Sequence, residues 1–114
     1  MGGSFESSDG ESKAELRPLR LPTLKGDLYG AAKELIDDLA KWSLVSEDED
    51  AGVLVCSRAG GFLGGKATVT IRFEAPEGVP STTVRLRSET EGGLMPRDKA
   101  NVVEFMKPYN RRVC

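Results

Sequence analysis

A change of hydrophobic period at residue 42 constrains this chain more than any other feature. Before it, Leu28, Ala31, Ala32, Leu35, Ile36 and Leu39 recur at the i, i+3, i+4, i+7 spacing of one helical face, and Lys33, Glu34, Asp37, Asp38 and Lys41 fill the other. The spacing predicts an amphipathic helix over residues 27–41, with Asp27 as its N-cap. Beyond it the period falls to two. Trp42 and Leu44 alternate with Ser43, and the polar run from Ser46 to Gly52 reads as a turn. Val53-Leu54-Val55-Cys56 is apolar on both faces, as in a well-packed inner strand. Ala67, Val69, Ile71 and Phe73 alternate with Thr68, Thr70 and Arg72, a half-buried strand, and Val84 and Leu86 alternate with Arg85 and Arg87. Glu91-Gly92-Gly93 breaks this last strand. A second helix is expected over 96–107, with Pro96 in its first turn, Asp98 near its positive end and Val102, Phe105, Met106 and Tyr109 as its apolar stripe; Pro108 should stop it.

The expected fold is therefore α+β: a four-stranded antiparallel sheet with two helices on one face, in the order α-β-β-β-β-α. Residues 1–13 are rich in Gly, Ser and acids and read as a disordered tail. Residues 14–26 carry Pro18 and Pro22, which exclude a helix or a central strand and leave an extended arm. Residues 27–114 form the single domain, expected to be monomeric.

Composition narrows the chemistry. The chain has 114 residues, 39% hydrophobic and 30% charged, in the globular range. It has no histidine, which excludes Ser-His-Asp triads, Cys-His dyads and the common catalytic zinc sets. Its two cysteines, Cys56 in an apolar strand and Cys114 at the last position, make no disulfide framework and no metal cluster. No apolar run is long enough for a membrane span and no signal peptide opens the chain. That leaves a soluble protein, cytoplasmic by default, with an exported or plastid form open. The net charge of −2 and a pI near 5.2 disfavour a nucleic-acid binder.

Two motifs suggest chemistry and then lose it. Gly60-Gly61-Phe62-Leu63-Gly64-Gly65-Lys66-Ala67 fits G-x-x-x-x-G-K, but Ala67 replaces the Mg²⁺-binding hydroxyl, and the run leads into a strand where a phosphate site needs a helix N-terminus. Glu47-Asp48-Glu49-Asp50 offers oxygen ligands without the spacing or glycine of a calcium loop. Asp98 and Glu104 sit on different helical faces and make no carboxylate pair. No cofactor and no catalytic residue is expected.

From Tyr29 onward, over about 80 residues, the chain resembles the domain of unknown function 1499 family of bacterial and plastid-related proteins. The residues that carry it are Trp42, Glu49 or Asp50, Gly52, Gly61-Phe62, Val84-Arg85-Leu86-Arg87-Ser88, Thr90, Gly92 or Gly93, Asn101 and Phe105. Where the family has an acidic pair after Phe62 this chain has Gly64-Gly65, and Glu91 stands in place of the family's second arginine. The resemblance implies a helix–strands–helix fold and no established catalytic activity.

The expected function is that of a non-enzymatic accessory or binding domain for a protein partner. Contacts would come from Phe62 and Leu63 in the Gly-rich loop, and from Arg72, Arg85, Arg87 and Ser88 on the sheet, leading to Arg97 and Asn101. Two alternatives stay open: a carrier for an apolar or amphipathic small ligand between sheet and helices, and weak anion or nucleic-acid binding through the arginine row.

Overall fold

The computed structural model describes residues 3–60, 64–76, 80–93 and 97–114. Along the chain run β1 (Gly3–Glu6), a 3-10 turn (Ala14–Leu16), β2 (Leu19–Leu21), α1 (Lys25–Asp38), β3 (Trp42–Asp48), β4 (Val53–Arg58), β5 (Gly64–Glu74), β6 (Thr82–Gly93) and α2 (Asp98–Val113). The architecture is α+β. One antiparallel sheet of six strands runs β1-β6-β5-β4-β3, and β2 also pairs with β6.

The expected four strands become six because the N-terminal segments join the sheet. Gly3–Glu6, read from composition as tail, lies antiparallel to Arg87–Thr90. Leu19–Leu21, within the expected arm, pairs with Thr82–Val84. Pro18 and Pro22 bracket this strand without interrupting it, as an edge position allows. Hydrogen bonds bind both segments beyond the ladder: Ser7 N–H donates to the Leu86 carbonyl, Ser7 Oγ accepts from Leu86 N–H, and Thr82 Oγ1 donates to the Thr23 carbonyl at 2.7 Å.

Element ends also move. α1 starts at Lys25 with Leu24 as N-cap, which puts Asp27 inside the first turn. β3 continues through Ser46–Asp48, expected as turn, after a bulge between Leu44 and Ser46. β6 continues through Glu91–Gly93 because β5 pairs with it along its whole length, Lys66 opposite Glu91 and Gly64 opposite Gly93. Gly65 is required there: a Cβ would stand 2.1 Å from the Glu91 carbonyl oxygen. The end of the G-x-x-x-x-G-K run, Gly64-Gly65-Lys66, thus lies within strand β5 and does not lead into a helix. α2 passes Pro108 and reaches Val113. Proline removes only its own N–H, while Tyr109 beyond it is fully buried and donates to the Leu28 carbonyl at 2.8 Å, tying the last turns to α1.

Both helices pack on one face of the sheet. Leu54, Cys56, Val69, Ile71, Phe73, Val84 and Leu86 point inward, one from each second position of β4, β5 and β6. They meet Leu28, Ala32, Leu35 and Ile36 of α1 and Val102, Phe105, Met106 and Tyr109 of α2. Each large apolar side chain so buried contributes about 1.5–3 kcal/mol. Ring contacts fill the middle: Phe105 stacks on Tyr109 at 5.1 Å between centroids, and Trp42 lies 5.7 Å from Phe105. Among the described residues no helix covers the opposite face of the sheet. No helix among the described residues is long and apolar enough to cross a membrane.

Candidate functional site

The period of two that builds the core also sorts the candidate residues onto opposite faces. Arg72, Arg85 and Arg87 share parity with Thr70 and Glu74 and lie on the open outer face. Register brings them together: Arg72 stands opposite Arg85, and Thr70 opposite Arg87. With Glu6, Thr70 and Glu74 they line a concavity of about 420 Å³.

Carboxylates anchor two of the three guanidinium groups. Arg85 Nε donates to Glu74 at 2.7 Å. Arg87 Nε donates to Glu89 at 2.8 Å, and its Nη1 lies 3.4 Å from Glu6. Hydrogen bonding to Glu89 raises the Arg87 pKa further, so its charge is fixed at every working pH. Arg72 has no ion-pair partner among the described residues. Each anchored guanidinium is held mainly through Nε, which leaves Nη groups to offer a ligand, the fork geometry that suits carboxylate or phosphate.

Ser88 belongs elsewhere. One step along β6 from Arg87, it points inward and is fully buried, and Asn101 is 1% exposed. Neither can touch a partner at the outer face. Instead Ser88 Oγ and Thr90 Oγ1 both donate to Asp98 Oδ1 at 2.7 Å, and Asn101 Nδ2 donates to Ser88 Oγ at 3.2 Å. This buried knot locks the start of α2 to the end of β6. Arg97 opens α2 on the helix side and donates to Glu104 at 3.2 Å. The expected contact surface therefore divides: its arginine row stays together, while Ser88, Asn101 and Arg97 stand across the sheet from it. Phe62 and Leu63 lie outside the described residues.

A second polar cluster was missed by sequence reasoning. Arg58 Nε and Nη2 form a fork onto both oxygens of Glu104, at 2.7 and 3.0 Å, and Trp42 Nε1 donates to the same carboxylate. The Arg58 side chain is only 4% exposed. Arg58, helped by Trp42, holds the Glu104 carboxyl down at about 2, against the cost of burying it. Strand parity carried the signal. Leu54, Cys56 and Arg58 occupy alternate positions, so Arg58 had to point inward and find a buried partner.

Burial pushes the Cys56 thiol up to about 12, which keeps it protonated and unreactive. Ser88 donates its proton to a carboxylate that already accepts another hydroxyl. Among the described residues no group of three or more His, Cys, Asp or Glu side chains could hold a metal ion.

No family model matches the chain, and neither does any curated protein. Among solved structures it is similar to the crystal structure of Ara h 8.0201, with a TM-score of 0.58 and 13% sequence identity, over 96% of this chain and 97% of that one. At that identity the likeness concerns the fold.

Proposed function

We propose that this chain is a non-catalytic binding domain that takes an acidic surface of a protein partner on the outer face of its sheet. The observation that carries the reading is the convergence of Arg72, Arg85 and Arg87 from two neighbouring strands onto one concavity of about 420 Å³. Arginines aligned this way give bidentate recognition of carboxylates with little side-chain entropy left to lose, because Glu74 and Glu89 already hold two of them.

The carrier reading has less support. Leu28, Leu54, Ile71, Phe105 and Tyr109, each at most 1% exposed, fill the space between sheet and helices.

The test is fluorescence anisotropy with a glutamate-rich peptide at low salt, beside its lysine-rich counterpart and a single-stranded oligonucleotide. The acidic peptide should bind, weaken steeply as salt rises, and lose about tenfold or more in affinity for Arg72→Glu/Arg85→Glu. Equal binding of both peptides, preference for the oligonucleotide, or an unchanged affinity in the double variant would overturn the reading.

A further inference from the structure

A large concavity lies on the opposite side of the molecule from the arginine row. About 530 Å³ in volume, it runs between the 3-10 turn and α2 and is lined by Lys13, Leu16, Lys99, Ala100, Val103 and Glu104. Its floor is apolar: Leu16 belongs to the core, and Val103 packs against that core from the half-buried side of α2. Its rim is basic, and neither Lys13 nor Lys99 has an ion-pair partner among the described residues. The one acid in the lining is committed elsewhere, since Arg58, Trp42 and Arg97 all donate to Glu104. Lys99 and Ala100 also wall a second concavity, about 310 Å³, beside Phe5 and Arg97. Lys99 Nζ stands 5.5 Å from the Phe5 ring centroid, between the two spaces. An apolar trough of this size, within the usual range for small-molecule sites, thus opens toward unpaired positive charge.

We propose that this groove binds a free single-chain amphiphile with an anionic head, its chain lying on Leu16, Ala100 and Val103 and its head against Lys13 and Lys99. Charge complementarity selects an anion. A single molecule suits it better than a bilayer surface: among the described residues the exposed large apolar side chains, Leu24, Leu44 and Val45, lie on other elements, so none of them stands beside the groove to insert. The site is independent of the outer-face reading and can succeed or fail without it.

Isothermal titration of the full chain with octanoate, decanoate and dodecanoate, each below its micellar concentration, tests this directly. Saturable one-to-one binding is expected, tightening about three- to fourfold per added methylene until the groove is full. Decyltrimethylammonium should bind at least about tenfold more weakly than decanoate. Lys13→Glu/Lys99→Glu should lose that charge preference. Ala100→Trp, at an exposed helix position that tolerates the change, should fill the groove and abolish binding; Val45→Ser, on a distant edge strand, should leave it intact. Absence of saturable binding, equal affinity for both head charges, unchanged binding by Ala100→Trp, or association with anionic vesicles only would overturn the proposal.

Discussion

Two arginines of one sheet, each paired with a glutamate, show how far setting outweighs chemistry. Arg85–Glu74 and Arg58–Glu104 have the same Nε–Oε1 distance, 2.7 Å. The first pair lies on the open face, with side chains 35% and 54% exposed. The second is wedged between β4 and α2, with Arg58 4% and Glu104 31% exposed. Water screens the outer pair and competes for it, so it contributes little stability and its arginine stays available to a ligand. In the inner pair Arg58 has given up its hydration and depends on Glu104 for its charge to be met. One arginine is suited to recognition and the other to holding the helix on the sheet.

The sharpest way to break this contrast is to remove Glu104. Glu104→Ala strands Arg58 in a buried position without its acceptor and also deprives Trp42 Nε1. The expected cost is about 3–5 kcal/mol, read from the midpoint of urea unfolding. A loss below about 1 kcal/mol would mean that the inner pair behaves like the outer one. pH sharpens the same point. The Glu104 carboxyl titrates at about 2 in the folded chain against 4.5 for an unperturbed glutamate. A depressed folded value gives stability that is fully present above pH 4.5 and lost as pH falls toward 2. Glu104→Gln cannot lose that contribution. Its deficit relative to the parent chain should therefore shrink across this window and stay constant above it.

The strand-and-helix periodicity made the central architecture legible: the apolar face of α1, the alternation of β5 and the stripe of α2 all come from local spacing. The two N-terminal strands were not legible, because Gly3–Glu6 is short and polar and Leu19–Leu21 is three residues between prolines, too little in either case to form a strand alone. They order only because β6, far along the chain, offers each of them a stretch of backbone to pair with. The site was legible in the same uneven way. Parity gathered Arg72, Arg85 and Arg87, yet the same parity should have turned Ser88 inward and Arg58 with it. What alternation could not supply was the partner of each buried group, since Asp98 and Glu104 reach them from another element.

The Ser88–Thr90–Asp98 knot is the intermediate case, buried like the inner pair but built from hydroxyls around a single carboxylate. Asp98→Ala should cost about 2 kcal/mol, since it leaves two buried hydroxyls without an acceptor. Asp98→Asn keeps an acceptor oxygen and should recover about half of that loss. Equal destabilisation by both variants would show that the charge at the start of α2, more than the hydrogen bonds, sustains the knot.

The smallest effect on stability is expected at Arg85, and it carries the contrast furthest. Arg85→Ala removes an exposed pair and should shift the unfolding free energy by about 0.2–1 kcal/mol. Glu74 is left in water, where it needs no partner, and the strand backbone that sets the sheet is untouched. The same substitution should weaken binding of an acidic peptide by several-fold, because an Nη fork leaves the concavity between Arg72 and Arg87. Recognition and stability then separate at one residue, whereas at Arg58 they cannot, because Nε, Nη1 and Nη2 of that guanidinium are all engaged, by Glu104 or by the Ala59 carbonyl. If Arg85→Ala instead costs as much as Glu104→Ala, the outer ladder is a structural brace, and the concavity is a by-product of how that brace is built.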